Sequence, residues 1–152
     1  MILSAAEVLA KSTPTSIGAT ISATFHDIRH FETLSNVQFL DCTFAKGTRI
    51  ACSTFENCNF ENCVFRCDFF VCKFVNCGFI NCRFWQNTIN GIVLDNTEIV
   101  ESEFRYCFLN AVTGGVIADC GFNFCELQEF ETGLENCRIY HVTINEPDTD
   151  NN

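Results

Sequence analysis

The sequence predicts an all-β solenoid, a chain that turns about every five residues and stacks its turns into a filled square shaft. Three observations lead there. Phe recurs at Phe55, Phe60, Phe65, Phe69, Phe74, Phe79 and Phe84, and each Phe from 60 onward has a Cys two residues before it: Cys58, Cys63, Cys67, Cys72, Cys77 and Cys82. Neither a helix nor a flat strand keeps a stripe of that period on one face, so the backbone must bend at every fifth position. A right-angle bend each time closes a coil in about twenty residues, and stacked coils bury a face that no repeat could bury alone.

A twenty-residue coil sorts the central apolar residues into four columns. The first runs Leu34, Phe55, Phe74, Leu94, Ile117, Ile139, and the second Phe39, Phe60, Phe79, Ile99, Phe122, Ile144. The third is Phe44, Phe65, Phe84, Phe104, Leu127, and the fourth Ile50, Phe69, Ile89, Leu109, then Phe130 or Leu134. Two compensating slips are needed, one extra residue between Phe44 and Ile50 and one fewer between Phe65 and Phe69. Two residues after the central one, Asn36, Asn57, Asn76, Asn96 and Asp119 form one expected row and Asp41, Asn62, Asn81 and Glu101 another. Asn and Asp suit corners, where they tolerate turn conformations and can form side-chain ladders.

The motif resembles that of the pentapeptide-repeat family over roughly residues 34–144. The resemblance implies a right-handed quadrilateral β-helix in which the central residue and the one two before it point inward. The usual repeat of that family has Ala, then Asp or Asn, then Leu; here Cys stands for Ala, Phe for Leu, and Asn has moved two places past the centre.

Residues 1–33 read as an N-terminal unit: a short helix over 2–11, with Ile2, Leu3, Ala6, Leu9 and Ala10 on one side, capping the shaft, then a break at Pro14 and an irregular first coil. His26 and His30 read as surface residues. Residues 34–144 form the solenoid. Segments 110–116, where Gly114 and Gly115 mark a loop or bulge, and 128–134 interrupt the period and read as irregular steps or tolerated insertions. Residues 145–152 form a polar tail. With no apolar helix after the last coil, an open edge near Ile139 and Tyr140 predicts a homodimer through the C-terminal coils.

The net charge of −10 is unevenly placed: residues 1–91 carry seven acidic and seven basic side chains, residues 92–152 twelve acidic against Arg105 and Arg138. The expected acidic surface comprises Asp95, Glu98, Glu101, Glu103, Glu126, Glu129, Glu131 and Glu135. It disfavours direct nucleic-acid and anionic-membrane binding, and no apolar run reaches membrane-spanning length. Without a basic stretch ahead of the first apolar residues, the chain is expected in the reducing cytoplasm with its twelve Cys as packed thiols. Stacked pairs such as Cys58 with Cys77 and Cys63 with Cys82 fall within bridging range. Cys52, beside the slip, is the thiol expected to react first.

No nucleophile motif, phosphate loop, cofactor signature or metal box is present, so a non-catalytic scaffold for protein–protein interaction is expected. Phe70, Trp85, Phe108 and Phe124 occupy outward positions and are the candidate interaction residues. The resemblance implies an alternative: some pentapeptide-repeat proteins imitate duplex DNA and bind DNA gyrase or another type II topoisomerase, which the acidic C-terminal part fits.

Overall fold

The bend at every fifth residue is visible in the backbone. The computed structural model describes residues 2–3, 19–21, 24–25, 33–47 and 49–145. Across them, eighteen non-glycine residues have φ between +47° and +58°, beginning Asn36, Asp41, Cys52, Asn57 and Asn62. That left-handed conformation turns the chain, and it is why Asn and Asp fill so many of the corners. Between corners lie short strands, every recorded pairing parallel. Two sheets of eight and twelve strands wrap the shaft.

The four columns hold as expected from Leu34 to Leu109. Leu34 lies beside Phe55 and Phe55 beside Phe74; Phe39 beside Phe60 and Phe60 beside Phe79; Phe44 beside Phe65 and Phe65 beside Phe84; Ile50 beside Phe69 and Phe69 beside Ile89. Both slips fall where the sequence places them. Within a column the rings stack face to face, Phe39 on Phe60 at 4.6 Å and 2°, Phe60 on Phe79 at 4.5 Å and 5°. Between columns they meet tilted or edge-on, as Phe74 meets Phe79 at 72°. Cys63 and Phe65 are fully buried. Where Phe gives way to Ile89, Ile92, Leu94 and Ile99, an apolar cavity of about 30 Å³ remains.

Cys does more here than fill space. Its thiol reaches carbonyl groups of its own and the preceding coil: Cys77 Sγ lies 3.3 Å from both Phe55 O and Val75 O, and Cys82 Sγ 3.4 Å from Phe60 O. Thr97, in the column of Cys77, puts its hydroxyl 3.0 Å from Phe74 O and Asp95 O. These are second hydrogen bonds to carbonyls that also accept a backbone N–H, as Val75 O does from Asn57 N at 2.9 Å and Asp95 O from Asn76 N at 2.9 Å. All twelve thiols are free, including the stacked Cys58 and Cys77; Cys52 is exposed, Cys137 half-buried and the other ten buried.

Two expectations are corrected. The N-terminal helical cap is absent from what the structure describes: Ile2–Leu3 is a strand, pairing Ile2 with Thr24 and Leu3 with Phe25. These two residues pair with a neighbouring coil instead of opening a helical turn. The described part of the first coil joins the columns off the regular spacing: Ile21 lies beside Phe39 eighteen residues on and Phe25 beside Phe44 nineteen on, with a four-residue step between them. The remainder of 4–11, with His26 and His30, lies outside the described residues.

The second correction concerns 110–116 and 128–134, which are not loops. They run inside the continuous strands Phe108–Ala118 and Glu126–Glu135. The coils there are shortened, not interrupted: Phe84 to Phe104 spans twenty residues, Phe104 to Phe122 eighteen, and Phe122 to Ile139 seventeen. The missing residues come from the corner between the first and second columns. There Gly114 and Gly115, at φ +77° and +61°, turn so tightly that a Cβ on Gly115 would sit 2.6 Å from Thr97 O. Consequently Ile117 and Leu134 continue the second column, Phe122 and Ile139 the third, and Leu127 and Ile144 the fourth. Asp119 moves with them into the corner row of Glu101.

Candidate functional site: the third outer face and its aromatic corner

The third face is built on Thr43–Phe44, Val64–Phe65, Arg83–Trp85, Glu103–Arg105, Gly121–Asn123 and Arg138–Tyr140. Because successive side chains on a strand alternate, the residues flanking each buried Phe point to solvent. Register then places Arg83, Glu103, Gly121 and Arg138 in one outward row and Trp85, Arg105, Asn123 and Tyr140 in another, with exposed Arg66 preceding Trp85. Glu103 reaches Arg105 and Arg138, each at 3.6 Å, with all three side chains substantially exposed. Such surface pairs contribute about 0–1 kcal/mol. Gly121, lacking a side chain, opens a gap over which the Arg138 guanidinium lies. Asn81, Arg83, Trp85, Arg105 and Arg138, with Glu101 and Asp119 along one rim, surround a depression of about 530 Å³.

The next corner adjoins this face. Its left-handed positions hold Gln86, Tyr106, Phe124 and His141. Tyr106 stacks on Phe124 at 5.3 Å and 13°, and Phe124 on His141 at 4.8 Å and 13°, with Tyr140 edge-on to Phe124 at 88°. Tyr106, Phe124 and Tyr140 are about half exposed. Aromatic residues gain nothing from a left-handed backbone, which Asn adopts at far lower cost.

The four aromatic residues singled out by sequence are distributed as follows. Phe124 stands in the corner stack, and Phe108 lines the same shallow depression as Tyr106, Phe124 and His141. Trp85 belongs to the third face. Phe70 sits on the far edge of the fourth face, beside Ala51 and Asn90, with the Arg49 guanidinium 5.1 Å from its ring centre. Tyr106 and His141 were not singled out, because their alignment with Phe124 depends on the shortened coils. The acidic residues are spread round the rod: Asp95 follows the first column, Glu98 and Glu135 flank the second, Glu103 lies on the third face and Glu126 on the fourth, Glu101 and Glu129 occupy corners, and Glu131 lies beside Thr113.

Among the described residues no three His, Cys, Asp or Glu side chains converge to hold a metal. No helix among them is long and apolar enough to cross a membrane. Burial pushes the Cys72 and Cys120 thiols up to about 11, and that of Cys67 higher.

No protein-family model matches the chain, and no curated protein matches its sequence. Among solved structures, a candidate glycosyl hydrolase from Parabacteroides merdae aligns over 94% of this chain and 97% of its own, at 8% identity and a TM-score of 0.41. The plasmid-mediated fluoroquinolone resistance protein QnrB1 aligns over 85% and 88%, at 15% identity and 0.27. HetL, a pentapeptide repeat protein involved in heterocyst differentiation regulation in the cyanobacterium Nostoc, aligns over 97% and 98%, at 9% identity and 0.29. Likenesses this remote transfer no activity or partner. The chain's own features are the basis for placing it: five-residue rungs, left-handed corners and inward Cys and Phe on a four-sided parallel solenoid fit the pentapeptide-repeat family.

Proposed function

We propose that this protein is a non-catalytic scaffold that binds a protein partner through the third face and the aromatic corner of its C-terminal coils. The observation that carries the reading is the stack of Tyr106, Phe124 and His141 in left-handed positions. Each costs backbone strain that Asn would relieve, and each adds exposed ring area; strain kept at a surface points to use of that surface. The test is the triple variant Tyr106→Asn, Phe124→Asn, His141→Asn in affinity capture. A structural role predicts lower thermal stability; the scaffold role predicts equal or higher stability with loss of the partner. Recovery of the same partners by wild type and variant overturns it.

The acidic charge favours a second reading, mimicry of duplex DNA toward a type II topoisomerase, although the carboxylates lie on all sides of the rod. A gyrase supercoiling assay unchanged by a large excess of the protein ends that reading. The homodimer belongs here too. Ile139, Tyr140 and Ile144 are 50%, 58% and 55% exposed at the last coil, whose strands have no further partner among the described residues. Light scattering that gives a monomer mass at micromolar concentration removes it.

A further inference from the structure

We infer that the two rows of the third face form a recognition site for an acidic, extended segment of a partner protein. The inference rests on the scaffold reading above and names the chemistry of its partner. The charges outside this face set the problem. Of the seven basic residues among those described, four (Arg66, Arg83, Arg105 and Arg138) lie here, against Glu103 alone. Everywhere else three basic residues face twelve acidic ones. A long polyanion such as duplex DNA would overhang onto repelling surface; a short acidic segment meets only the favourable face.

The residue types agree. Both described Lys, Lys46 and Lys73, lie elsewhere, and this face carries only Arg, whose planar fork binds a carboxylate through two parallel hydrogen bonds. Arg66 and Arg83 have no carboxylate within 4.0 Å among the described residues, and Glu103 holds Arg105 and Arg138 only at 3.6 Å. Coil spacing of about 4.8 Å puts Arg66 and Arg105 about 10 Å apart, with Trp85 between them. An extended chain presents every second side chain at about 7 Å on one side, so acids two residues apart come within reach of both guanidinium groups while the indole packs on the peptide backbone between them. Glu101 and Asp119 border the other side, which directs the segment along the row next to the aromatic corner.

Trp85 is the chain's sole Trp, so its fluorescence reports occupancy of this face alone. The probe is a peptide of alternating Asp and Ser, titrated at low salt against the full chain, with an Asn and Ser peptide and a DNA duplex as comparisons. The acidic peptide is expected to shift Trp85 emission while the neutral one does not. Affinity should fall roughly tenfold or more in Arg66→Gln/Arg105→Gln and at about 0.3 M salt. Arg49→Gln, on another face, should leave it unchanged. Equal binding of the neutral peptide, tighter binding of the duplex, or equal loss in Arg49→Gln overturns the proposal. So does a low-salt dimer that the double Arg variant dissolves, because a second copy then fills the face. Failure of the peptide leaves partner capture through the corner standing, so the two readings fail separately.

Discussion

Val71 offers the cleanest test of how the corners shape stability. It is β-branched, sits at φ +54°, and is 66% exposed. A left-handed backbone costs an L-residue about 1–2 kcal/mol and is an outlier for a β-branched one. Asn tolerates it, and since Val71 is mostly solvated little apolar burial is lost by the exchange. Val71→Asn should therefore stabilise the fold by about 1 kcal/mol, a Tm rise of roughly 2–4 °C for a chain of this size. Val71→Gly should gain less, because glycine adds about 0.5–1 kcal/mol of chain entropy to the unfolded state. Asn57→Val, at φ +54° in another corner, should lose about 1–2 kcal/mol. Urea unfolding followed by far-UV circular dichroism reads all three. If Val71→Asn and Asn57→Val both leave the midpoint unmoved, left-handed strain does not govern the corners, and the argument from the aromatic stack loses its premise.

Three further outcomes follow from the interior. Gly91→Ala, whose Cβ meets nothing nearer than 3.5 Å, should cost only the left-handed penalty of about 1 kcal/mol, whereas Gly114→Ala drives its Cβ into the Leu94 carbonyl and should cost several times that in the same urea experiment. With a chromogenic disulfide reagent, Cys52 should react in the native protein well before the buried thiols, Cys137 next and the remaining ten only on unfolding; prompt reaction of more than two contradicts the packing. Raising pH should destabilise the fold from about pH 9. Buried Cys72 and Cys120 keep their protons up to about 11 while the unfolded chain loses them near 9, so each contributes stability that is intact below 9 and declines by up to about 1.4 kcal/mol per pH unit as pH climbs toward 11. A urea midpoint flat from pH 8 to 10.5 contradicts that.

The architecture was legible because its inward code is local: a small donor, a spacer and a Phe repeat on one strand, and the first four members of every column follow from counting. Counting failed after Leu109. An eight-residue step to Ile117 is consistent with three residues added to one rung or two removed from a pair, and only the pairing of Ile99 with Ile117 decides for removal. The corner stack was hidden by the same ambiguity, since Tyr106, Phe124 and His141 align only in coils of eighteen and seventeen. Buried Asn87 escaped for another reason. Its amide donates to Phe65 O at 3.0 Å and to Cys67 O and accepts from the Cys107 thiol at 3.3 Å, a role that no spacing rule assigns to Asn.

The shrinking circumference of the last two turns bears on how far such a rod can grow. A prism of constant section offers the same polygon at either tip, so any copy can seat on any other and the result is a fibre. Here the last described turn is three residues shorter than those in the middle of the rod, and a full-width turn laid upon it would leave backbone amides hanging over empty space. Only a neighbour cut to the same outline can seat there without loss, which favours a closed pair over an endless filament.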